Sequence, residues 1–266
     1  MKRLMPGFAG AKQSKVVALS RRSSDKAKAA GEQYKIPHVF LTTEELCRCN
    51  DVDAIFVASP DSLHLQDVLT AAQHRKHILC EKPMAMNTEQ AVQMVNAAKD
   101  AGVLLGVAHC FRFEKSVHRI RQRIASGDIG QVIFARAEFS YPGTNHARTW
   151  LTDAKMAAGG PVADVGVHCI DALRFILEDD PVTVQAVAHY DQVSGEVEAA
   201  SILNLSFGRG ILATVLVSTR AEYRTPVEIV GTKGVLRAED AFTVDHPIQL
   251  KLVRGGHVVE TEDLMN

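Results

Sequence analysis

The sequence predicts an α/β chain in two parts: a parallel sheet wound with helical crossovers, then an α+β half built on a large, mostly antiparallel open sheet. Three observations carry this. Before residue 110, short β-branched runs alternate with helical stretches, the pattern of strand–helix–strand units. From residue 132 onward, long alternating runs dominate, as they do where one sheet face is buried and the other meets water. A chain of 266 residues, 46% of them hydrophobic, can bury two cores, and domains are expected at 1–109 and 110–266.

Each element follows from a local signal. Residues 15–19 read as the first strand. Ser24 caps a helix that runs to Tyr34, and Thr43 with Glu44 and Glu45 opens another, its carboxylates in the first turn where the helix dipole favours them. Residues 54–58 form the next strand, 63–73 its crossover helix and 77–80 a further strand. Asn87-Thr88-Glu89-Gln90 has the form of a capping box for a helix that stops at Gly102, and 103–108 closes the series. A helix over 119–126, ended by Gly127, leads into the second sheet. Strands are expected at 132–141, 182–190, 199–207, 211–219, 227–230 and 248–253, with a helix at about 167–177 between the first two.

Composition narrows the function. Thirty basic side chains against thirty-one acidic ones leave no global field to recruit nucleic acid or an anionic membrane. Apolar runs such as 52–58, broken by Asp53, fall far short of a bilayer span, and no charged-then-apolar leader opens the chain. Among five scattered cysteines only Cys47 and Cys49 lie close, without the spacing or second pair of a zinc site. No metal is expected, the thiols read as reduced, and the protein reads as soluble and cytoplasmic.

Two segments carry chemistry. The run His77-Ile78-Leu79-Cys80-Glu81-Lys82-Pro83 delivers a carboxylate and an ammonium together at the carboxyl end of a strand, the edge where open α/β sheets bind ligands. A Lys there can be desolvated and exchange a proton near neutrality, and Pro83 restricts how the chain leaves the strand; it can equally be an ordinary surface Lys. In the run from Gly159 and Gly160 to Asp171, Asp164 and His168 stand four apart, on one face if the turn is helical, so that a carboxylate and an imidazole can share a ligand. The paired glycines let a backbone approach closely where the helix opens. The plainer alternative is that Asp164 caps that helix and His168 is a half-buried core histidine.

Together these segments resemble the glucose-fructose oxidoreductase and inositol dehydrogenase (Gfo/Idh/MocA) family over nearly the whole chain. Glu81-Lys82-Pro83 is similar to the family's strand-end signature, and Gly159-Gly160 through Asp164, His168 and Asp171 to its second one. The stretch 53–64 resembles the strand and loop that pass the nicotinamide, and 231–234 a late hairpin. The resemblance implies a Rossmann-type dinucleotide-binding domain joined to a sheet-based substrate domain. It further implies Lys82 as the catalytic Lys, His168 as the proton-transfer residue and Asp164 as their substrate-binding partner. Ser59, Pro60, Asp61, His64, Glu81, Lys82 and Trp150 are then expected to border the cofactor. Lys82, His109, Arg112, Asp164 and His168 are expected to border a sugar or polyol substrate. Trp150 is open to a second reading as a core or interface anchor, and His109 and Arg112 to structural roles.

The chemistry suits these residue types. Hydride passes between a carbinol carbon and nicotinamide, while the hydroxyl proton goes to or comes from a base. A Lys ammonium can stabilise the developing alkoxide, and an imidazole can take the proton. Cofactor choice is read after residues 15–19: Ser20, Arg21 and Arg22, with Lys26 a turn later, offer donors to a 2′-phosphate and no repelling carboxylate at the strand's end. NADP is therefore expected over NAD, unless these cations form a solvated surface loop.

The sequence also departs from the family pattern. Nothing before Lys15 supplies a strand and Gly-x-Gly-x-x-Gly turn for the pyrophosphate, and residues 4–8 resemble the helix that follows that turn. The chain is therefore expected to lack the family's first strand and its C-terminal helices, either as a partial chain or because these elements are absent. Leu151 stands where the family often shows Arg after the Trp. The basic loop and the stretch 109–130 resemble the 1,5-anhydrofructose reductase and xylose dehydrogenase branches. The expected function is NADP-dependent hydride transfer on a sugar, polyol or related cyclic ketone. The alternative is a noncatalytic relative that binds a dinucleotide or sugar. A homo-oligomer paired through the open C-terminal sheet is expected.

Overall fold

The computed structural model describes residues 4–143 and 149–266. They form two compact units, Met1–Ala108 and His109–Asn266.

The first unit runs α1 (Leu4–Gly10), β1 (Ala18–Ser20), α2 (Ser24–Tyr34), β2 (His38–Phe40), α3 (Thr43–Cys47), β3 (Ala54–Val57), α4 (Asp61–Gln73), β4 (His77–Cys80), α5 (Thr88–Ala101) and β5 (Leu105–Val107). All strand pairs are parallel: β1 with β2, and β3-β4-β5 in that order, with Phe56 opposite Leu79 and Leu79 opposite Gly106. Strand β2 was not anticipated, because three residues are too short to show a period. The helices bury one stripe each. In α4 this is Val68, Ala71 and Ala72, and in α5 it is Met94 and Ala98, four apart. They cover a core of Ile55, Val57, Ile78 and Cys80.

Two caps differ from expectation by one residue. Ser23, not Ser24, is the N-cap of α2, and its side chain makes no capping bond. Thr42, not Thr43, caps α3, in a complete capping box with Glu45. At α3 the free N–H groups lie in the first turn, and the Thr42 side chain has the reach to accept from Glu45 N. Asn87 accepts from the Gln90 amide as expected, and the Gln90 side chain reaches back to Met86 N. Gly102 ends α5 in the left-handed region at φ +70°.

The second unit opens with a 3₁₀ turn (Cys110–Phe113), α6 (Lys115–Ala125) and β6 (Val132–Ser140). A 3₁₀ turn (Thr149–Thr152) and a π-helical turn (Val162–Gly166) then lead into α7 (Val167–Leu177). There follow β7 (Pro181–His189), β8 (Ala200–Phe207), β9 (Leu212–Ser218), β10 (Val227–Gly231), β11 (Val235–Ala238), β12 (Pro247–Arg254) and β13 (His257–Met265). They make one eight-stranded sheet in the order β13-β12-β11-β10-β6-β9-β8-β7, antiparallel except for the β6–β9 pair.

Alternation sets its two faces. Leu203, Leu205 and Phe207 of β8 and Ile248, Leu250 and Leu252 of β12 are buried, with exposed Asn204 and Gln249 between them. The buried face belongs to the same core as Val117 and Ile120 of α6 and Cys169, Leu173 and Ile176 of α7. Each such side chain contributes about 1.5–3 kcal/mol of burial. Arg123, a buried cation on α6, is tied to Asp128 and to Glu260 and Glu262 of β13, which holds the sheet's last strand to the helix. That strand was not anticipated, because its run of Glu, Thr and Asp hides the period.

Candidate active site

In the first unit the candidate residues gather where β1, β3 and β4 end. Lys82 lies just past β4, and the bonding pattern continues to the residue before it, since Glu81 N donates to Val57 O at 2.9 Å. The Glu81 carboxylate accepts from Lys82 N at 3.2 Å, and the Lys82–Pro83 peptide is cis. Two buried groups hold the segment that follows. Cys80, whose thiol burial pushes up to about 12 so that it stays a donor, reaches Met84 O at 3.8 Å. His64, fully buried on α4, sets Nδ1 3.0 Å from Pro83 O and Nε2 2.9 Å from Ser59 O.

The β3–α4 turn is tied down as well. Ser59 Oγ and Thr43 Oγ1 each donate to Asp67 at 2.6 Å, Pro60 is the N-cap of α4 and Asp61 is buried in its first turn. Ser20 is half-buried at the end of β1, and Arg21, Arg22 and Lys26 are exposed beyond it. Arg21 is anchored by its backbone N–H to Phe40 O at 3.1 Å, and its Nη1 donates to Lys26 O at 3.4 Å. Of the residues expected to border a cofactor, His64 needs correction. With no exposed surface and both ring nitrogens on backbone carbonyls, it holds loops rather than presenting a ring to a ligand.

In the second unit, Asp164 lies in the π-helical turn and His168 in the first turn of α7; both are buried. Tyr141, at the end of β6, donates to Asp164 Oδ2 at 2.5 Å. The helix opening is capped not by Asp164 but by Glu198, which accepts from Gly160 N at 2.8 Å and Val162 N at 3.0 Å. Gly160 is required there, since a Cβ would fall 2.0 Å from the Glu198 carbonyl oxygen. The cap is thus supplied by Glu198, while the Asp164 carboxylate accepts from Tyr141. His168 is packed edge-on against Phe111 at 4.6 Å and against His109 at 6.3 Å.

Arg112 forms a bidentate pair with Asp171 of α7, both bonds 2.7 Å, and its guanidinium lies 5.7 Å from the centre of the Phe175 ring. Bonding to Asp171 raises the Arg112 pKa further. Much of its fork is thus committed to locking the 109–113 turn onto α7, and His109 Nδ1 stands 3.9 Å from the same carboxylate. Trp150 is half-buried in the 3₁₀ turn before the glycine pair.

A cavity of about 210 Å³ in this unit is walled by Asp164, Tyr141, Glu198, Thr219 and Arg220, among others. Arg220 donates to both oxygens of Asp191 and to Ser194 Oγ. These bonds hold Asp191 well below the usual carboxylate range. Tyr141, Glu198 and Arg220 were missed from sequence. Tyr141 closes a recognisable strand and could have been flagged; Glu198 and Arg220 carry no local signal. One group of metal-ligand type occurs among the described residues, His38, Cys49 and Asp51, far along the chain from the proposed catalytic residues.

The chain matches two family models. One is described as the oxidoreductase family, NAD-binding Rossmann fold, over residues 2–109, and the other as the GFO/IDH/MocA C-terminal domain, over residues 117–237. It is 34% identical to the 1,5-anhydro-D-fructose reductase of Ensifer adhaerens over 86% of this chain and 69% of that protein. To the NADP-dependent D-xylose 1-dehydrogenase of Haloarcula marismortui it is 30% identical, over 90% and 69%. Among solved structures it resembles the aldose-aldose oxidoreductase of Caulobacter crescentus complexed with glycerol. That match has a TM-score of 0.90 and 26% identity, covering 99% of this chain and 79% of that one.

Proposed function

Since this chain belongs to the GFO/IDH/MocA family of oxidoreductases, we propose that it transfers a hydride between NADP and a carbinol or carbonyl carbon of a sugar, polyol or related cyclic ketone. The observation that carries this reading is Asp164. It is a buried carboxylate relieved of capping by Glu198, bonded to a phenol, and set on the wall of a cavity of mixed polar and apolar lining.

The dinucleotide suits the first unit's donor set. Ser20, Arg21, Arg22 and Lys26 follow β1 without a carboxylate at the strand's end, a set that favours a 2′-phosphate over a bare ribose diol. When bound, the nicotinamide supplies or accepts the hydride. The chain's own residues manage the charge and the proton. We assign Lys82 the role of holding the substrate oxygen and stabilising it as negative charge develops. His168 takes the hydroxyl proton in oxidation and returns it in reduction. Asp164 accepts a substrate hydroxyl and, through Tyr141, keeps one orientation. The assignments at Ser59, Pro60, Asp61, Glu81 and Trp150 to the cofactor, and at His109 to the substrate, belong to the same reading. The expected domain division at 109/110 belongs to it too.

The xylose dehydrogenase and the anhydrofructose reductase, both acting on sugars, support the substrate class. We place the protein in the cytoplasm, which keeps its five free thiols reduced. No helix among the described residues is long and apolar enough to cross a membrane. We also propose a homo-oligomer through the open sheet face. There Phe134 and Leu212, paired across β6 and β9, are about half exposed beside Val230 of β10, an apolar row bordered by Arg136 and Glu228.

The test is an assay at the nicotinamide absorbance with a panel of aldoses, polyols and anhydroketoses, paired with thermal-shift titration of NADP and NAD. Turnover of at least one member with NADP, and a larger shift with NADP than with NAD, are expected. No turnover and no shift would overturn the catalytic reading, and a larger shift with NAD would overturn the cofactor choice.

A further inference from the structure

We infer that His64 is a positioning residue for Lys82, acting through the carbonyl of Pro83. The inference rests on the assignment of Lys82 to catalysis. Lys82 sits on no regular element: β4 ends at Cys80 and α5 begins at Thr88. The direction in which it leaves the strand is therefore decided by whatever holds residues 83–86. At the Pro83 carbonyl the holder is His64, a residue with no exposed surface on a helix of thirteen residues. Its Nδ1 lies 3.0 Å from Pro83 O, and Nε2, across the ring, lies 2.9 Å from Ser59 O.

The imidazole therefore works as a rigid spacer between two loops. Ser59 is the second residue past β3, and Pro83 the third past β4. Pairing of those strands reaches only as far as Glu81 N on Val57 O. Beyond that point the two strand ends are joined at these positions by the ring. A neutral imidazole carries one N–H and donates to one carbonyl at a time, whereas the doubly protonated ring donates to both. The Nδ1 arm holds the residue next to Lys82 in the forms that carry a proton on Nδ1, and the Nε2 arm holds the turn that opens α4 in the forms that carry one on Nε2. The Ser59 arm is backed by a second tie, since Ser59 Oγ donates to Asp67 at 2.6 Å. At Pro83 the next tie is Cys80 Sγ on Met84 O, a long sulfur contact of 3.8 Å. The Pro83 arm is thus the less redundant of the two.

Two near-isosteric replacements separate the arms. An Asn amide nitrogen falls near the place of Nδ1, and a Gln amide nitrogen near that of Nε2. His64→Asn therefore keeps the bond to Pro83, and His64→Gln keeps the bond to Ser59. Each variant is compared with the parent for melting temperature, NADP dissociation constant, and kcat at saturating substrate and cofactor. Both are expected to melt lower by similar amounts and to bind NADP within about threefold of the parent. In His64→Asn kcat stays within about threefold, and in His64→Gln it falls by about tenfold or more.

A double-mutant cycle completes the test. In a Lys82→Arg background, which leaves a residual rate to measure, His64→Gln is expected to change kcat by less than about twofold, because the group it positions is already altered. Equal kcat losses in the Asn and Gln variants, losses that track melting temperature alone, or full multiplication of the His64→Gln loss onto Lys82→Arg would each overturn the inference and leave the role of Lys82 intact. Undiminished turnover in both Lys82→Arg and Lys82→Ala would instead remove the assignment of Lys82, and this inference with it.

Discussion

Lys82 and His168 are held in opposite ways. Lys82 stands on a strand-end segment whose shape is maintained by side chains bonding to backbone carbonyls, His64 to Pro83 and Cys80 to Met84. His168 stands on a helix whose face is packed into the larger core, with Phe111 edge-on at 4.6 Å and the Arg112–Asp171 pair one helical turn on. A loop position held by polar clamps can shift without disturbing a core, and a helical position cannot. Changes near Lys82 should therefore alter rate more than stability, while changes around His168 should alter both.

The largest effect is expected at His168. His168→Asn should lower kcat by about 10²–10⁴-fold through loss of proton transfer, and should also lower the melting temperature, since the replaced ring is packed in the core. Lys82→Ala should lower kcat by about 10²–10³-fold, with a melting temperature within a degree or two of the parent in calorimetry. If Lys82→Ala melts as low as His168→Asn, the contrast between the two supports fails. Next in size, Arg21→Asp should weaken NADP binding by about 10–100-fold and leave NAD binding much less affected, because a charge-assisted donor becomes a repelling carboxylate. Isothermal titration with both dinucleotides reads this directly.

Asp171→Asn removes the charge of a buried carboxylate that accepts from Nε and Nη2 of Arg112, and chemical denaturation should show a loss of about 1–3 kcal/mol. The smallest effect is pH-dependent. Arg220, with Ser194, holds Asp191 below its ordinary range, so this contribution to stability is complete above the unfolded carboxylate value of about 4. It is lost as pH falls through the lower folded value. Asp191→Asn should therefore melt lower than the parent at pH 7, and the difference should shrink as the pH is taken below about 3.

Much of the fold was legible because its signals are local. The bounds of β4 and α7 coincide with the runs read from sequence, α2 is offset by one residue at its cap, and Asn87 and Gly102 mark the ends of α5. The strands that escaped, β2, β11 and β13, are either three or four residues long or crowded with charge, so no period of two stands out. The candidate site divides in the same way. Lys82, Asp164 and His168 sit in short runs whose residue types state their own chemistry. Tyr141 and Glu198 earn their places only by meeting Asp164 and Gly160 from 23 and 38 residues away.

By itself the sequence determined the change from parallel to mostly antiparallel strands, the N-caps of α2, α3 and α5 to within a residue, and the residue types available for hydride-transfer chemistry. All of these depend on neighbours within a turn or a strand. Tertiary structure alone decided that β6 pairs parallel with β9 and that Glu198 rather than Asp164 caps the second unit's helix. It also decided that Arg112 is bound to Asp171, and that His64 spends its ring on two carbonyls instead of a ligand. The reason is physical: a buried polar group must find a partner wherever the packed chain brings one, and sequence separation carries no record of which partner that will be.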